Sequence, residues 1–558
     1  MPGQLLERIL CSRGLTTHTA RQAFLHPDYD AHQHDPFLLP GMHHAVERLV
    51  QAHAQGEAIV VYGDYDIDGL SATALLLDAF ASFGFAPVQA FIPNRFVEGY
   101  GMTMGAVDKV AAMGAKLIVT VDCGSLCHEE IAYAKERYGI DTIVTDHHNV
   151  APTRPPAIAT VNPKYDDHRY PFRDLCGAGV AFKLVQALQT KLPGLPAGHE
   201  KWLLDLVALG TVCDIVTLTN ENRANVYWGL EVLKKQRRTG LKALMAVSGI
   251  DPRSVNARSL GFGLGPRMNA AGRLDTAEHA LHMLMAADGM EALAASNKLE
   301  ELNQRRRQIQ DEIFAQACQQ AERYAADPVL VVSQPGWNHG VIGIVASKLV
   351  ERYKKPTFIL GVRGQEATGS ARSFGDFSAA DAVRAADDII MRGGGHAAAA
   401  GVTLATQQID AFRQRVNEYY DSLGLRDQTR HLLPQADVTV PDFSEIDEAL
   451  VAGIAQMEPF GNGNPEPVLR IPAATVVAMR QMGSDGQHVK LTLEDSTGRC
   501  LQMLAFQAPS EYFCQPGQRV AAWFSPMLNE WRGSRTVEGR LQHIEPIEQS
   551  ELVGEATG

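Results

Sequence analysis

Three aspartates at two-residue spacing, Asp64, Asp66 and Asp68, stand immediately before Gly69. Carboxylates this close repel one another strongly unless a cation lies among them, so the first chemistry they suggest is binding of a hard divalent ion. The plainer reading is an acidic turn capping a helix, a role that Asp fills readily. Two further acidic stretches follow within about 90 residues, Asp122-Cys-Gly124 and Asp146-His147-His148. Carboxylates joined by an imidazole suit Mn²⁺ or Mg²⁺ better than a thiolate-loving ion, and Cys123 is assigned to packing. A fourth acid, Asp214, sits in the apolar run Thr211-Val-Cys-Asp-Ile-Val. An unpaired buried carboxylate is costly, so Asp214 is either protonated or turned toward the other ligands.

These residues need elements to position them. Residues 58–62, 116–121 and 141–145 are apolar, β-branched runs, expected as buried strands, and each ends at one of the acidic stretches. In an open α/β sheet ligands bind beyond the carboxyl ends of the strands, where all three would place their acids. A helix is expected over 70–77, strands over 88–92 and 157–161, and a helix from Gly177 to about 191. Residues 202–210 are apolar all round, the pattern of a buried helix delivering Asp214. The loop 93–101 mixes Arg95 with aromatic residues and glycines. It suits a phosphate or base contact, or equally a packed turn.

At 558 residues, with 45% hydrophobic and 21% charged residues, the chain suits three or four domains. No apolar run approaches the length of a membrane span, and the start lacks the apolar core of a signal peptide. Eight cysteines without a Cys-x-x-Cys pair fit a reducing compartment, so a cytoplasmic location is expected. The net charge is −13, yet residues 223–273 hold ten Lys/Arg against two acids. That segment is +8 and leaves −21 elsewhere, which suggests a local basic surface for a polyanion; for 234–238 a solvated helix face explains it as well. Residues 1–50 read as a helical extension. Its histidines (His18, His26, His32, His34, His43, His44) lack ligand spacing and are assigned to surface or packing.

Past residue 280, residues 291–324 contain neither Pro nor Gly and place Leu293, Leu299, Leu302, Ile309 and Ile313 at helical intervals. This is a spacer helix, with Arg305 to Arg307 on a solvated face or touching nucleic acid. Residues 327–422 form a second α/β pattern. Its run Gly393-Gly394-Gly395-His396 can bring backbone N–H groups to a phosphate, with Arg372 adding charge. Residues 436–546 alternate in short segments broken by turns, the signature of a small β-barrel. Trp523, Phe524 and Trp531 are its candidates for base stacking or for core packing.

Asp64-Tyr-Asp-Ile-Asp-Gly, Val121-Asp-Cys-Gly, Asp146-His-His and Gly210-Thr-Val-Cys-Asp resemble the four motifs of the DHH phosphoesterase superfamily. Gly393-Gly-Gly-His-Ala-Ala-Ala-Ala-Gly401 resembles the glycine-rich motif of its DHHA1 partner domain. Intervening stretches, among them Gly265-Pro-Arg-Met-Asn-Ala-Ala-Gly-Arg273, are similar to the single-strand-specific exonuclease branch of that superfamily, over roughly residues 25–545. The resemblance implies an α/β fold: a DHH parallel-sheet domain joined by a long helix to a smaller α/β DHHA1 domain, plus a C-terminal OB-fold β-barrel. The boundaries expected are 1–50 for the extension, 51–285 for DHH, 286–326 for the helix, 327–425 for DHHA1, 436–546 for the OB-fold and 547–558 for a disordered tail.

The resemblance also implies a 5′-to-3′ exonuclease that acts on single-stranded DNA in repair and recombination and releases mononucleotides. Two Mn²⁺ or Mg²⁺ ions about 3.5–4 Å apart would serve an in-line displacement. Asp64, Asp66, Asp122, His147 and Asp214 are the expected ligands, with Asp122 as bridge. His148 is expected at the scissile phosphate, Asp146 orienting an imidazole, and Asp68 as a supporting partner. Arg95, Arg267, Asn269, Arg273, Arg372, Gly394, Gly395 and His396 are the expected DNA contacts. A single-strand-binding protein and a helicase are expected partners, no membrane is involved, and a monomer is expected. The alternatives are a phosphodiesterase for short oligonucleotides or cyclic dinucleotides, which the +8 segment and barrel disfavour, and a non-catalytic replication scaffold, which intact ligands disfavour.

Overall fold

A computed structural model of the chain describes residues 3–547 except 96, 100, 427–432, 484–485, 510–511 and 532. The chain divides into two compact units, residues 29–428 and a second formed by 1–28 with 429–558.

The larger unit begins with a parallel sheet. Its strands are β1 (Ile59–Gly63), β2 (Val88–Phe91), β3 (Leu117–Val121), β4 (Asp141–Thr145) and β5 (Ala159–Val161), in the order β2-β1-β3-β4-β5. All neighbours run parallel. β1 and β3 are buried throughout, as the continuous apolar runs require of strands covered on both faces. The chain moves outward in opposite directions from β1 and β3, so the sheet's switch point, where α/β proteins place their ligands, lies between them. Asp64 follows β1 and Asp122 follows β3: the two acids flank that crevice.

Three helices back the crevice. Ile67–Phe83 starts at Asp66, whose carboxylate caps the N–H groups of Asp68 and Gly69. Gly177–Gln189 and Leu204–Cys213 are buried along almost their whole length, the latter agreeing with its all-round apolar sequence. A 35-residue helix, Gly289–Arg323, leads onward. Leu299, Leu302 and Ile313 of the expected stripe are buried and Leu293 is exposed, while the polar Ser296, Asn303, Arg306 and Gln310 are buried beside them. Arg306 donates to Asn303 and Gln310, so it is Arg305 and Arg307 alone that face solvent.

A second sheet follows, β6 (Leu330–Pro335), β7 (Thr357–Arg363), β8 (Glu366–Arg372), β9 (Ile390–Gly395) and β10 (Ala399–Ala405), ordered β6-β7-β8-β10-β9. Only β6 and β7 pair in parallel. The glycine run is the exposed edge strand β9, and His396 begins its turn into β10.

The smaller unit corrects the expected boundary at residue 50. Helix Gln4–Ser12 buries Leu5, Leu6, Ile9 and Leu10 in the core of the C-terminal barrel, not against the first sheet. Arg13 clamps Asp437 at 2.6 and 3.2 Å and reaches Asn464 at 2.9 Å. The barrel comprises β11 (Val438–Thr439), β12 (Leu469–Met482), β13 (His488–Glu494), β14 (Cys500–Ala505), β15 (Arg519–Trp531) and β16 (Ser534–Pro546). Five strands close in the order β12-β13-β14-β16-β15 through the β12–β15 pairing, with β14 and β16 parallel. This is an OB-fold. Trp523 and Phe524 are buried and therefore pack rather than stack on a ligand; the Trp531 side chain and the expected tail from 548 lie outside the described residues. Phe506 is the aromatic the barrel exposes, beside His488, among the described residues.

Candidate metal centre and phosphate site

The acidic strand ends converge. Three overlapping trios each bring one ligand atom per residue within 4.8 Å: Asp64, Asp66 and Asp122; Asp122, His147 and His148; Asp68, His147 and Asp214. Asp122 belongs to two of them, as does His147. His147 Nε2 lies 3.0 Å from Asp122, 3.6 Å from Asp214 and 3.7 Å from Asp68. Asp64 Oδ1, Asp122 Oδ1 and His147 Nε2 are buried and make no hydrogen bond among the described residues. Buried polar atoms are normally satisfied, so orphaned donors and acceptors aimed at one point fit a cation in their midst.

The electrostatics agree. Burial, then Asp66, pushes Asp64 up to about 8. Burial, then Asp68 and Asp66, does the same to Asp214, also to about 8. Asp122 is raised well above the carboxylate range by burial and then by Asp68, Asp66, Asp64 and Asp214. His147 is lowered to about 4 by burial and by His148, so it is the neutral imidazole that a metal requires. The backbone supports the packing. Asp122 is left-handed at φ 61°, and a Cβ on Gly177 would lie 2.5 Å from Asp122 Cβ.

Asp146 differs from these candidate ligands because the protein satisfies both of its oxygens. Its Oδ1 accepts from His147 N–H (2.7 Å), His148 N–H (3.1 Å) and His148 Nδ1 (2.8 Å), and its Oδ2 from Ser125 N–H (2.9 Å). Burial opposes its charge, but the hydrogen bond to His148 and both histidines outweigh it and hold Asp146 well below the usual range. Burial likewise opposes the His148 cation, and the Asp146 hydrogen bond and charge overcome it, lifting His148 to about 9. Asp68 spends both oxygens on the N-terminus of Gly177–Gln189, accepting from Gly177 N–H (2.5 Å) and Ala178 N–H (2.9 Å).

Facing this centre within the larger unit is a cavity of about 690 Å³ lined by Arg95, Arg273, Arg363, Arg372 and Arg392 against Glu366, with Gly395 at its edge. Arg95 lies over the ring of Tyr65, the residue between Asp64 and Asp66, at 5.1 Å. Arg273 donates to Gly340 O at 2.9 Å; burial, then Arg95, Arg306 and Arg372, lowers it to about 10. Clustered cations that depress one another form an anion site. His396 approaches Asn149 at 3.5 Å, while Gly394 is exposed on β9 outside the cavity lining.

Two further expected contacts, Arg267 and Asn269, also lie outside the cavity lining. Arg267 is tied to Glu300 (2.5 Å) and Gly263 O (2.7 Å), and Asn269 is half-buried on the same helix. The +8 segment also does not gather at the cavity. Arg223 is buried, Arg238 bridges Asp205 and Asp78, Arg253 pairs with Asp251 and Lys234 with Glu231; of the segment, Arg273 alone lines the cavity. Arg363 and Arg392 escaped notice in the sequence because each is a single cation on a strand of the second sheet. Ser125 and Asn162, which bond each other and brace Asp146 and His148, carried no signal beyond their place near strand ends.

Residues 58–211 match the DHH family, N-terminal domain, and residues 326–422 match the DHHA1 domain, so fold and centre define a DHH phosphoesterase. Residues 437–543 match the RecJ OB domain. The single-stranded-DNA-specific exonuclease RecJ of Bacillus subtilis is 37% identical over 538 residues, covering 95% of this chain and 66% of that protein. That of Dickeya dadantii is 36% identical over 540 residues, 91% of each chain. A crystal structure of RecJ from Thermus thermophilus in complex with Mn²⁺ aligns with a TM-score of 0.82 at 31% identity, over 97% of this chain and 76% of that one. The chain belongs to the RecJ family.

Proposed function

We propose that the chain is a metal-dependent exonuclease that hydrolyses single-stranded DNA from its 5′ end and releases mononucleotides. The observation that carries this is the set of buried, unsatisfied ligand atoms of Asp64, Asp122 and His147 opposite the arginine cavity. Asp64, Asp66, Asp122, His147 and Asp214 would hold two Mn²⁺ or Mg²⁺ ions, with Asp122 shared between them. When bound, such ions stabilise charge on a phosphoryl oxygen and activate water.

The protein's own groups supply the rest. Asp146 fixes the His148 ring through Nδ1 and keeps it cationic at neutral pH, which places a positive charge where a phosphate oxygen gains negative charge. Asp68 braces Gly177–Gln189, whose first residue packs on Asp122. Arg95, Arg273 and Arg372 bind a phosphate next to the scissile one and so set the strand's register on the centre. The 5′ polarity is carried over from the family resemblance, as are a role in repair and recombination, the cytoplasmic location, the monomeric state, and a single-strand-binding protein and helicase as partners. No helix among the described residues is long and apolar enough to cross a membrane.

The test is product length against time on 5′- and 3′-labelled single strands with Mn²⁺ or EDTA. Immediate mononucleotide release from the 5′ label, abolished by EDTA, is expected. Survival of long strands while dinucleotides are cut would replace this reading with a short-oligonucleotide phosphodiesterase.

A further inference from the structure

The arginine cavity holds more positive charge than one phosphate needs. Arg95, Arg273 and Arg372 are given above to the phosphate next to the scissile one, yet Arg363 and Arg392 line the same cavity, against the single acid Glu366. Among the described residues neither Arg363 nor Arg392 forms an ion pair, although Arg363 stands directly opposite Glu366 in the β7–β8 ladder. Unpaired cations gathered on a cavity wall attract anions.

The strand register puts these groups on one face of the second sheet. Along β8, Ala367, Gly369 and Ala371 are buried, while Glu366, Thr368, Ser370 and Arg372 turn the other way, into the cavity. Thr403 of β10 lies opposite Thr368, and Arg392 of β9 lies opposite Thr403. The side chains meet accordingly: Arg392 Nε donates to Thr403 Oγ1 at 3.4 Å, and the Thr403 and Thr368 hydroxyls lie 3.4 Å apart. Arg372 Nη1 donates to Ser370 Oγ at 3.1 Å, so its guanidinium leans one step along β8 toward that group. One step on the same face is two residues, about 7 Å. The floor beside Ser370 is Gly401, where a Cβ would meet nothing nearer than Gly369 O at 4.0 Å, so the space between the two groups of cations is open.

We propose that Arg392, Thr403 and Thr368, with Arg363 beside them, form a second anion subsite, which takes the outer phosphates of a strand whose 5′ end carries a di- or triphosphate. The proposal rests on the exonuclease reading above and extends it. With the first phosphate of such an end on Arg95, Arg273 and Arg372, the last lies about one step away, where the Arg392 guanidinium and the threonine hydroxyls can bond it. A strand entered from its 5′ end has no further nucleotide beyond its terminal phosphate, so the backbone itself does not reach this subsite; a phosphoanhydride does. The cleavage step is unchanged: water adds to the scissile phosphorus, the bond to the 3′ oxygen breaks and that oxygen takes a proton. The first product is then a nucleoside 5′-triphosphate, and the shortened strand begins with a 5′-monophosphate.

The experiment gives the full chain, in Mn²⁺, one oligonucleotide sequence with a 5′-hydroxyl, a 5′-monophosphate or a 5′-triphosphate. The parent is expected to take the triphosphate end with a KM no higher than that of the monophosphate end, and to release a nucleoside triphosphate first. Arg392→Ala should raise KM for the triphosphate end roughly tenfold more than for the monophosphate end, the scale of one charge-assisted contact, whereas Arg372→Ala should raise both alike. A triphosphate that blocks cutting, or an Arg392→Ala loss equal on all three ends, overturns the subsite. Anisotropy of 3′-labelled strands in EDTA separates the two readings. Tighter binding of the triphosphate strand than of the monophosphate strand, abolished by Arg392→Ala, supports the subsite even if no strand is cut. Equal binding of the two strands overturns it even if the monophosphate strand is digested normally.

Discussion

The Asp68 carboxylate sits on the N-terminus of the Gly177–Gln189 helix, 2.5 Å from Gly177 N and 2.9 Å from Ala178 N. Because a Cβ on Gly177 would strike Asp122, the helix start and this candidate ligand are in tight contact, and Asp68 braces that start. Asp68→Asn keeps the shape but can offer only one carbonyl oxygen to two N–H donors. A loss of about 1.5–3 kcal/mol is expected from weakening charge-assisted bonds, offset in part by removing a buried charge. Mn²⁺ affinity should fall about 10–100-fold, as for other residues that orient ligands. Thermal melts with and without Mn²⁺, and metal titration, check both.

Asp146 and His148 predict a shift in the pH profile. In the parent protein the His148 cation persists to about pH 9, so kcat/KM should fall on the alkaline side as pH rises through that value. Asp146→Asn removes the partner that overcomes burial, and the alkaline limb should move down by more than one pH unit toward the ordinary histidine range, about 6.5. Profiles in Mg²⁺ read this directly. An unmoved limb would mean that another group titrates there.

The metal-free centre should make stability depend on pH in an unusual direction. Asp64 and Asp214 rise from the ordinary aspartate value of 3.8 to about 8 in the folded protein. The folded state therefore binds more protons than the unfolded chain between those limits, and stability falls as pH rises. The contribution is complete below about pH 4 and lost by the time pH has passed 8. In EDTA, Tm should decline from about pH 5 to about pH 8.5; saturating Mn²⁺ should remove most of that decline by supplying the missing positive charge.

Arg273 and Arg267 lie on one helix and should behave differently. Arg273 lines the cavity, so Arg273→Ala should raise KM for single strands at least tenfold and reduce the salt dependence of binding, with Tm nearly unchanged. Arg267 is held by Glu300 and Gly263, so Arg267→Ala should lower Tm by several degrees with a smaller change in KM. Steady-state kinetics and melts on the two variants separate the roles.

The acidic cluster and the sheet beneath it were legible in the linear sequence because Asp64, Asp122 and Asp146 each directly follow a continuous β-branched run, and Asp214 ends an apolar helix. A local rule therefore suffices: a buried parallel strand ends, and its next residue faces the crevice. The barrel was legible from its alternation for the same reason, although its last strand, β16, and the burial of Trp523 and Phe524 were not. What the tertiary structure alone decided is the pairing of charges across distant positions. The +8 count for residues 223–273 is a sum over a segment, and folding hands Arg238 to Asp205 and Asp78 and leaves Arg273 to the cavity. The cavity's other arginines come from residues 95, 363, 372 and 392, joined only when the two sheets of the larger unit meet. The partner of the first helix was not legible on the same grounds: its apolar face requires burial, but does not say which core will bury it. Amphipathic pattern and strand-end chemistry are short-range properties written in neighbouring residues, whereas the choice of partner for a charge or an apolar face depends on contacts between residues far apart in the chain.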